Sequence, residues 1–184
     1  ENFMILSDSE LVEMLREPRT RREGFAVLVK QYSEKLYWKV RRIVLSHEDA
    51  NDVLQNVFIK VWSNLQNFQG KSSLSTWLYR IAVNESLDFL RKQKLADKVS
   101  ADEDVSVASR LMSDEYFDGD EVQARLQEAV ARLPEVQRTV FNLKYFEEMK
   151  YSEMSQILNT SEGALKASYH LAVKKITEYL HLFD

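Results

Sequence analysis

The sequence predicts an all-α protein: two small helical domains, residues 1–94 and 121–184, joined by a flexible acidic linker over 95–120. Three observations carry this. Only 4 Gly and 2 Pro are spread over 184 residues, too few turn formers for a β-rich fold. Apolar residues recur at steps of three and four through both ends of the chain. Between them DKVSADEDVSVASRLMSDEYFDGD keeps no such period and is rich in acid. A hydrophobic content of 45% suffices for two small cores.

The first helices announce themselves by their caps. Ser7 with Glu10, and Thr20 with Glu23, have the form of a capping box. Leu11, Met14 and Leu15 follow the first at helical spacing. Phe25, Leu28, Val29, Tyr32, Leu36, Val40 and Ile43 follow the second. Ser46 with Asp49 offers a third start of the same kind. Ala50, Val53, Leu54, Val57, Phe58, Val61, Trp62 and Leu65 then form one apolar stripe that must pack on other helices. The opposite face carries Asp49, Asp52, Gln55, Asn56 and Lys60, with Ile59 among them. An aliphatic residue inside a polar face fits a protein contact with a polar rim. It also fits a plain solvated face, and spacing leaves both open.

A loop over residues 68–73 and a long helix come next. Leu78, Tyr79, Ala82, Val83, Leu87 and Leu90 can face a core. Trp77, Arg80, Asn84, Asp88 and Arg91 fall on another face. Rings stack on unpaired bases, amides hydrogen-bond base edges, and cations hold phosphate. The loop adds Phe68 beside Gly70 and Lys71, a combination able to hold a base flipped from the duplex. A core role for Trp77, with Arg80 and Asp88 as surface charges, fits the same spacing.

Beyond the acidic segment, Pro134 suits the first turn of a helix running to about Phe146. Residues 151–176 then read as two helices joined by a tight turn at Thr160-Ser161-Glu162-Gly163. That is the pattern of a helix-turn-helix, whose second helix can lie in the major groove.

Several classes are disfavoured. No run of about 18 apolar residues occurs, so no membrane insertion is expected. No signal peptide is visible and there is no cysteine, so a reducing, cytoplasmic setting is expected. Three scattered histidines and no phosphate-cradling loop leave no catalytic or metal constellation, so neither an enzyme nor a cofactor is expected. The net charge of −4 sits poorly with a protein that grips DNA alone. It argues against an autonomous helix-turn-helix regulator. The Trp77 face and the Thr160 turn argue against an all-α adaptor with no nucleic-acid role.

DANDVLQNVFIKVW, LSTWLYRIAVNESLDFLRK and LPEVQRTVFNLKYFEEMKYSEMSQILNTSEGALKAS resemble bacterial RNA polymerase sigma factors. The short two-domain form resembles the extracytoplasmic-function (ECF) group. The resemblance implies promoter-specific initiation, with core RNA polymerase (β′ clamp helices and β subunit) and promoter DNA as partners. It implies an anti-sigma factor as inhibitor. By the same resemblance Asp49, Asp52, Gln55, Asn56 and Ile59 lie on the polymerase-binding helix. Phe68, Gln69, Gly70, Lys71, Trp77, Arg80 and Asn84 meet the −10 element. Lys166, Ala167, Ser168, His170, Leu171 and Lys174 meet the −35 element. Asn56 stands where the family usually has an acid. Ser168, Leu171 and Val173 stand where many members carry Arg, which implies a different −35 sequence or a weaker grip on it.

Overall fold

A computed structural model describes residues 5–96, 112–114, 117 and 119–183; among these every regular element is a helix. The chain divides into two compact units, Glu1–Ala96 and Asp97–Asp184. The expected acidic linker falls largely outside the described residues.

The first unit holds α1 (Asp8–Arg16), α2 (Arg21–Val44), α3 (His47–Asn64) and α4 (Leu74–Ala96), with a 3₁₀ turn at Leu65–Asn67. Ser7 and Glu10 close a complete capping box on α1. Ser46 caps α3, its hydroxyl accepting from the Asp49 amide at 3.3 Å. Thr20 departs from expectation: its hydroxyl donates to the Met14 carbonyl at 2.9 Å and caps nothing. The tight α1–α2 corner takes that hydroxyl for itself. The corner also explains Gly24, where a Cβ would stand 2.8 Å from that of Met14.

α2 is the central helix and packs on α1, α3 and α4. Leu28, Leu36 and Val40 are buried along it, against Leu11 of α1, Val53, Val57 and Val61 of α3, and Leu78 and Ala82 of α4. Each of these Leu and Val side chains contributes about 1.5–3 kcal/mol through its removal from water. The α3 stripe is narrower than its sequence suggests. Val57 and Val61 are buried, but Phe58 is only half-buried and Trp62 is 42% exposed. At 3.6 residues per turn, a stripe with two apolar residues per turn leaves its outer row at the edge of the packed face.

The second unit holds α5 (Glu121–Ala131), α6 (Glu135–Phe141), α7 (Tyr151–Leu158) and α8 (Glu162–Leu180), closed by a 3₁₀ turn at His181–Phe183. Asp120 caps α5 and Pro134 precedes α6. The helix expected to reach Phe146 changes character at Asn142, where a π turn runs over Asn142–Phe146. The wider turn keeps Tyr145 stacked on Phe141, with centroids 5.1 Å apart. Tyr169 of α8 stacks 5.8 Å from Phe141. That aromatic column seats α8 on a core of Val130, Leu133, Phe141, Ala172 and Ile176.

Candidate nucleic-acid interface

The turn that opens α4 builds the first site. Ser73 begins it: its Oγ accepts from the Thr76 amide at 3.1 Å and donates to Thr76 Oγ1 at 2.9 Å. Upstream, the loop over 68–73 reverses at Gly70, whose φ of 69° favours glycine over any other residue. The reversal brings the Phe68 ring 5.0 Å from that of Trp77, tilted by 43°. Loop and helix thus present one aromatic pair, with Gln69, Gly70 and Lys71 exposed beside it.

Along α4, Trp77 and Arg80 are half-buried and Asn84 is exposed, at steps of three and four. Asp88 and Arg91, expected on the same face, pair with each other at 2.7 Å. The face therefore carries rings, an amide and the Arg80 guanidinium above the Asp88–Arg91 ion pair. Glu85 points elsewhere and pairs with Lys60 of α3; that hydrogen bond raises the Lys60 pKa. The ion pair ties α3 to α4.

α3 supplies the second site. Asp49 is half-buried at its capped start, and Asp52, Gln55 and Asn56 are exposed. Ile59 is 63% exposed, as expected of a residue off the packed stripe. An open apolar groove of about 430 Å³ adjoins it, lined by Arg22, Phe25, Phe58, Ile59 and Trp62. Phe25 holds Phe58 and Trp62 edge-on, at 6.4 and 5.1 Å. Sequence spacing missed this groove because Phe25 lies on another helix and both aromatics of α3 count as core by period.

The third site is the helix-turn-helix. α7 ends on Asn159 in the left-handed region, φ 50°. Ser161 then caps α8, accepting from the Ala164 amide at 3.2 Å. Leu165 and Met154 are buried and join the two helices. Lys166, Ala167, His170, Leu171 and Lys174 are exposed along α8. Ser168 is half-buried at the flank, next to the packed positions Leu165 and Ala172. Two further residues join from outside α8. The ammoniums of Lys144 and Lys166 lie 4.6 and 5.7 Å from the centre of the Tyr151 ring. An aromatic at the start of the first helix was the available sign.

The described residues form an all-α protein that presents a paired aromatic face and a helix-turn-helix. The family model for Sigma-70 region 2 matches residues 28–96, and that for Sigma-70, region 4 matches residues 123–176. The ECF RNA polymerase sigma factor SigW of Bacillus subtilis is 32% identical over 80% of this chain and 84% of its own length. The RNA polymerase sigma-H factor of Pseudomonas aeruginosa is 30% identical over 94% and 93%. The sigma factor RpoE of Bartonella quintana, solved with the anti-sigma factor NepR, shares the fold with a TM-score of 0.69 at 20% identity, covering 86% of this chain and 98% of its own. CnrH, solved with the cytosolic domain of CnrY, gives 0.62 at 20%, covering 96% of each. The chain belongs to the ECF RNA polymerase sigma factors, which direct promoter-specific transcription initiation.

Proposed function

We propose the following division of labour for this sigma factor. Residues 1–94 dock on core polymerase and open the −10 element, residues 121–184 hold the −35 element, and residues 95–120 link the two. The exposed α3 face, Asp52, Gln55, Asn56 and Ile59 with Asp49 at its head, meets the polymerase clamp helices. Asn56 makes that contact with an amide in place of a charge. Phe68, Gln69, Gly70 and Lys71 hold one flipped base, while Trp77, Arg80 and Asn84 hold the unpaired strand. Stacking offsets the unstacking cost of a few kcal/mol per base, so opening needs no ATP. Lys166, Ala167, His170 and Leu171 read the −35 major groove, with Ser168 and Lys174 at its edges. Lys144, Tyr151 and Lys166 together suit one phosphate.

The protein acts without catalysis of its own, in the cytoplasm, and an anti-sigma factor that covers the α3 and α4 faces holds it inactive. The pairing of Phe68 with Trp77 beside Gly70 carries the reading, because it unites a loop and a helix in one stacking surface. The test is Trp77→Ala with Asn84→Ala in holoenzyme. Permanganate reactivity of the −10 thymines should fall about 100-fold, since each stacked base is worth about 1–3 kcal/mol. Core binding should hold. Unchanged melting would refute the assignment of this face.

A further inference from the structure

The exposed side of α8 is built from two unlike ridges. Lys166, His170 and Lys174 stand four apart and form a polar one. Gly163, Ala167 and Leu171 also stand four apart, and this ridge has no hydrogen-bonding side chain. All six residues are exposed, while Leu165, Ala172 and Ile176 are buried on the other side of the helix. Leu171 is 46% exposed. A single exposed leucine is ordinary on a protein surface. This one continues an apolar line along the helix that the region 4 match covers.

Packing within the fold does not require that line. A Cβ built on Gly163 meets nothing within 4 Å, and the residue does not have a positive φ. Glycine within a helix costs stability relative to alanine, so the benefit of this one lies outside the molecule. With no side chain there, the first turn of α8 can sit closer to the floor of a groove.

In the major groove an apolar ridge has one partner that distinguishes bases. Thymine shows a C5-methyl group, whereas the other three bases show hydrogen-bond donors and acceptors. Leucine against a donor or acceptor leaves that group unpaired, and leucine against a methyl buries apolar surface on both sides. The spacing also fits. Ala167 and Leu171 are about 6 Å apart along the axis, close to two base-pair steps of about 3.4 Å each.

We propose that the Gly163–Ala167–Leu171 ridge reads thymine methyl groups at two positions of the −35 element, within two base-pair steps of each other. Lys166, His170 and Lys174 supply the polar contacts beside it. The proposal rests on the reading that α8 enters the −35 major groove, and it names the bases read there.

The test uses holoenzyme assembled from the full chain and core polymerase. Promoter duplexes randomised upstream are first selected by binding. Each thymine of the selected element is then replaced in turn by deoxyuridine, which keeps the pairing hydrogen bonds and lacks only the methyl group. Native holoenzyme should bind about fourfold more weakly at each of two positions, the effect of one methyl group left unburied. Leu171→Ala should bind thymine and deoxyuridine alike at one of them, with an unchanged thermal midpoint. Leu171→Arg should turn the preference at that position to guanine. Gly163→Ala should unfold as late as the native chain or later, yet weaken capture of the selected element. Deoxyuridine without effect at every position, with a defined upstream element still selected, would overturn the methyl reading and leave the −35 reading standing. An equal loss in native protein and in Leu171→Ala would overturn the assignment to this ridge. No upstream element selected, and no effect of Lys166→Ala with His170→Ala, would remove the −35 reading and this proposal with it.

Discussion

At the scale of single residues, chemistry rather than spacing separates function from packing. Trp77 and Trp62 both sit on amphipathic helices, and both remain partly accessible. Trp77 differs because a loop residue, Phe68, is brought to its ring, and packing alone does not demand a loop aromatic there. Lys39 shows what burial does to a charge. Its folded pKa, about 8, lies below the ordinary lysine value of 10.5, so between these values the unfolded chain binds the extra proton. Stability therefore rises as pH rises through about 8 and upward. Tyr32 and Tyr79 oppose this only near and above pH 10, because their pKa values are raised and their contribution fades there. Urea unfolding at pH 7, 8.5 and 9.5 should show the midpoint climbing in the native protein. In Lys39→Met the climb should vanish and the pH 7 midpoint should rise. A native midpoint that is flat over this range would contradict the buried-cation account.

At the scale of elements, the helices were legible because two periods and a few caps define them. Ser7, Ser46 and Ser161 each cap where a small polar residue precedes an apolar-periodic run. What escaped depends on groups distant in sequence. Thr20 had the right spacing for a cap, but the Met14 carbonyl in the α1–α2 corner competes for its hydroxyl. The π turn after Phe141 lies beside the stack of Phe141 on Tyr169, a partner that no local pattern encodes. The groove beside Ile59 needs Phe25 from α2 to form its wall. The turn of the helix-turn-helix was visible, but its pivot is Asn159 in the left-handed region rather than the Gly163 nearby. Asn tolerates that conformation and β-branched residues do not. Asn159→Val should therefore cost about 1–2 kcal/mol, and Ser161→Ala about 1 kcal/mol. Both should lower the thermal midpoint of the full chain and weaken −35 binding together. Asn159→Gly should be close to neutral. If Asn159→Val were equally harmless, the turn would not depend on this pivot.

At the scale of the whole molecule, charge decides how the protein meets DNA. The net charge is −4, and α8 carries Lys166, Lys174 and Lys175 against Glu162 and Glu178. A surface so nearly balanced gains little from counterion release, and the remaining acid repels the duplex. If Lys144, Lys166 and Lys174 are the phosphate contacts of the −35 site, the salt slope on B-DNA is about −2.7, from about −0.9 per contact. Affinity should then fall about 40-fold between 50 and 200 mM salt. Three contacts make a shallow slope beside those of proteins with six to ten, so the free chain should bind a −35 duplex only weakly at physiological salt. Promoter selection must then come from polymerase, which holds this weak reader at a high local concentration beside the element. Fluorescence anisotropy on a −35 duplex, with free chain and then with holoenzyme, measures both. Tight salt-steep binding by the free chain would mean that it finds promoters unaided, and polymerase delivery would lose its physical basis. Weak binding by the free chain, with Lys166→Ala and His170→Ala flattening upstream discrimination only in holoenzyme, would show that recognition is divided between an acidic carrier and the enzyme that carries it.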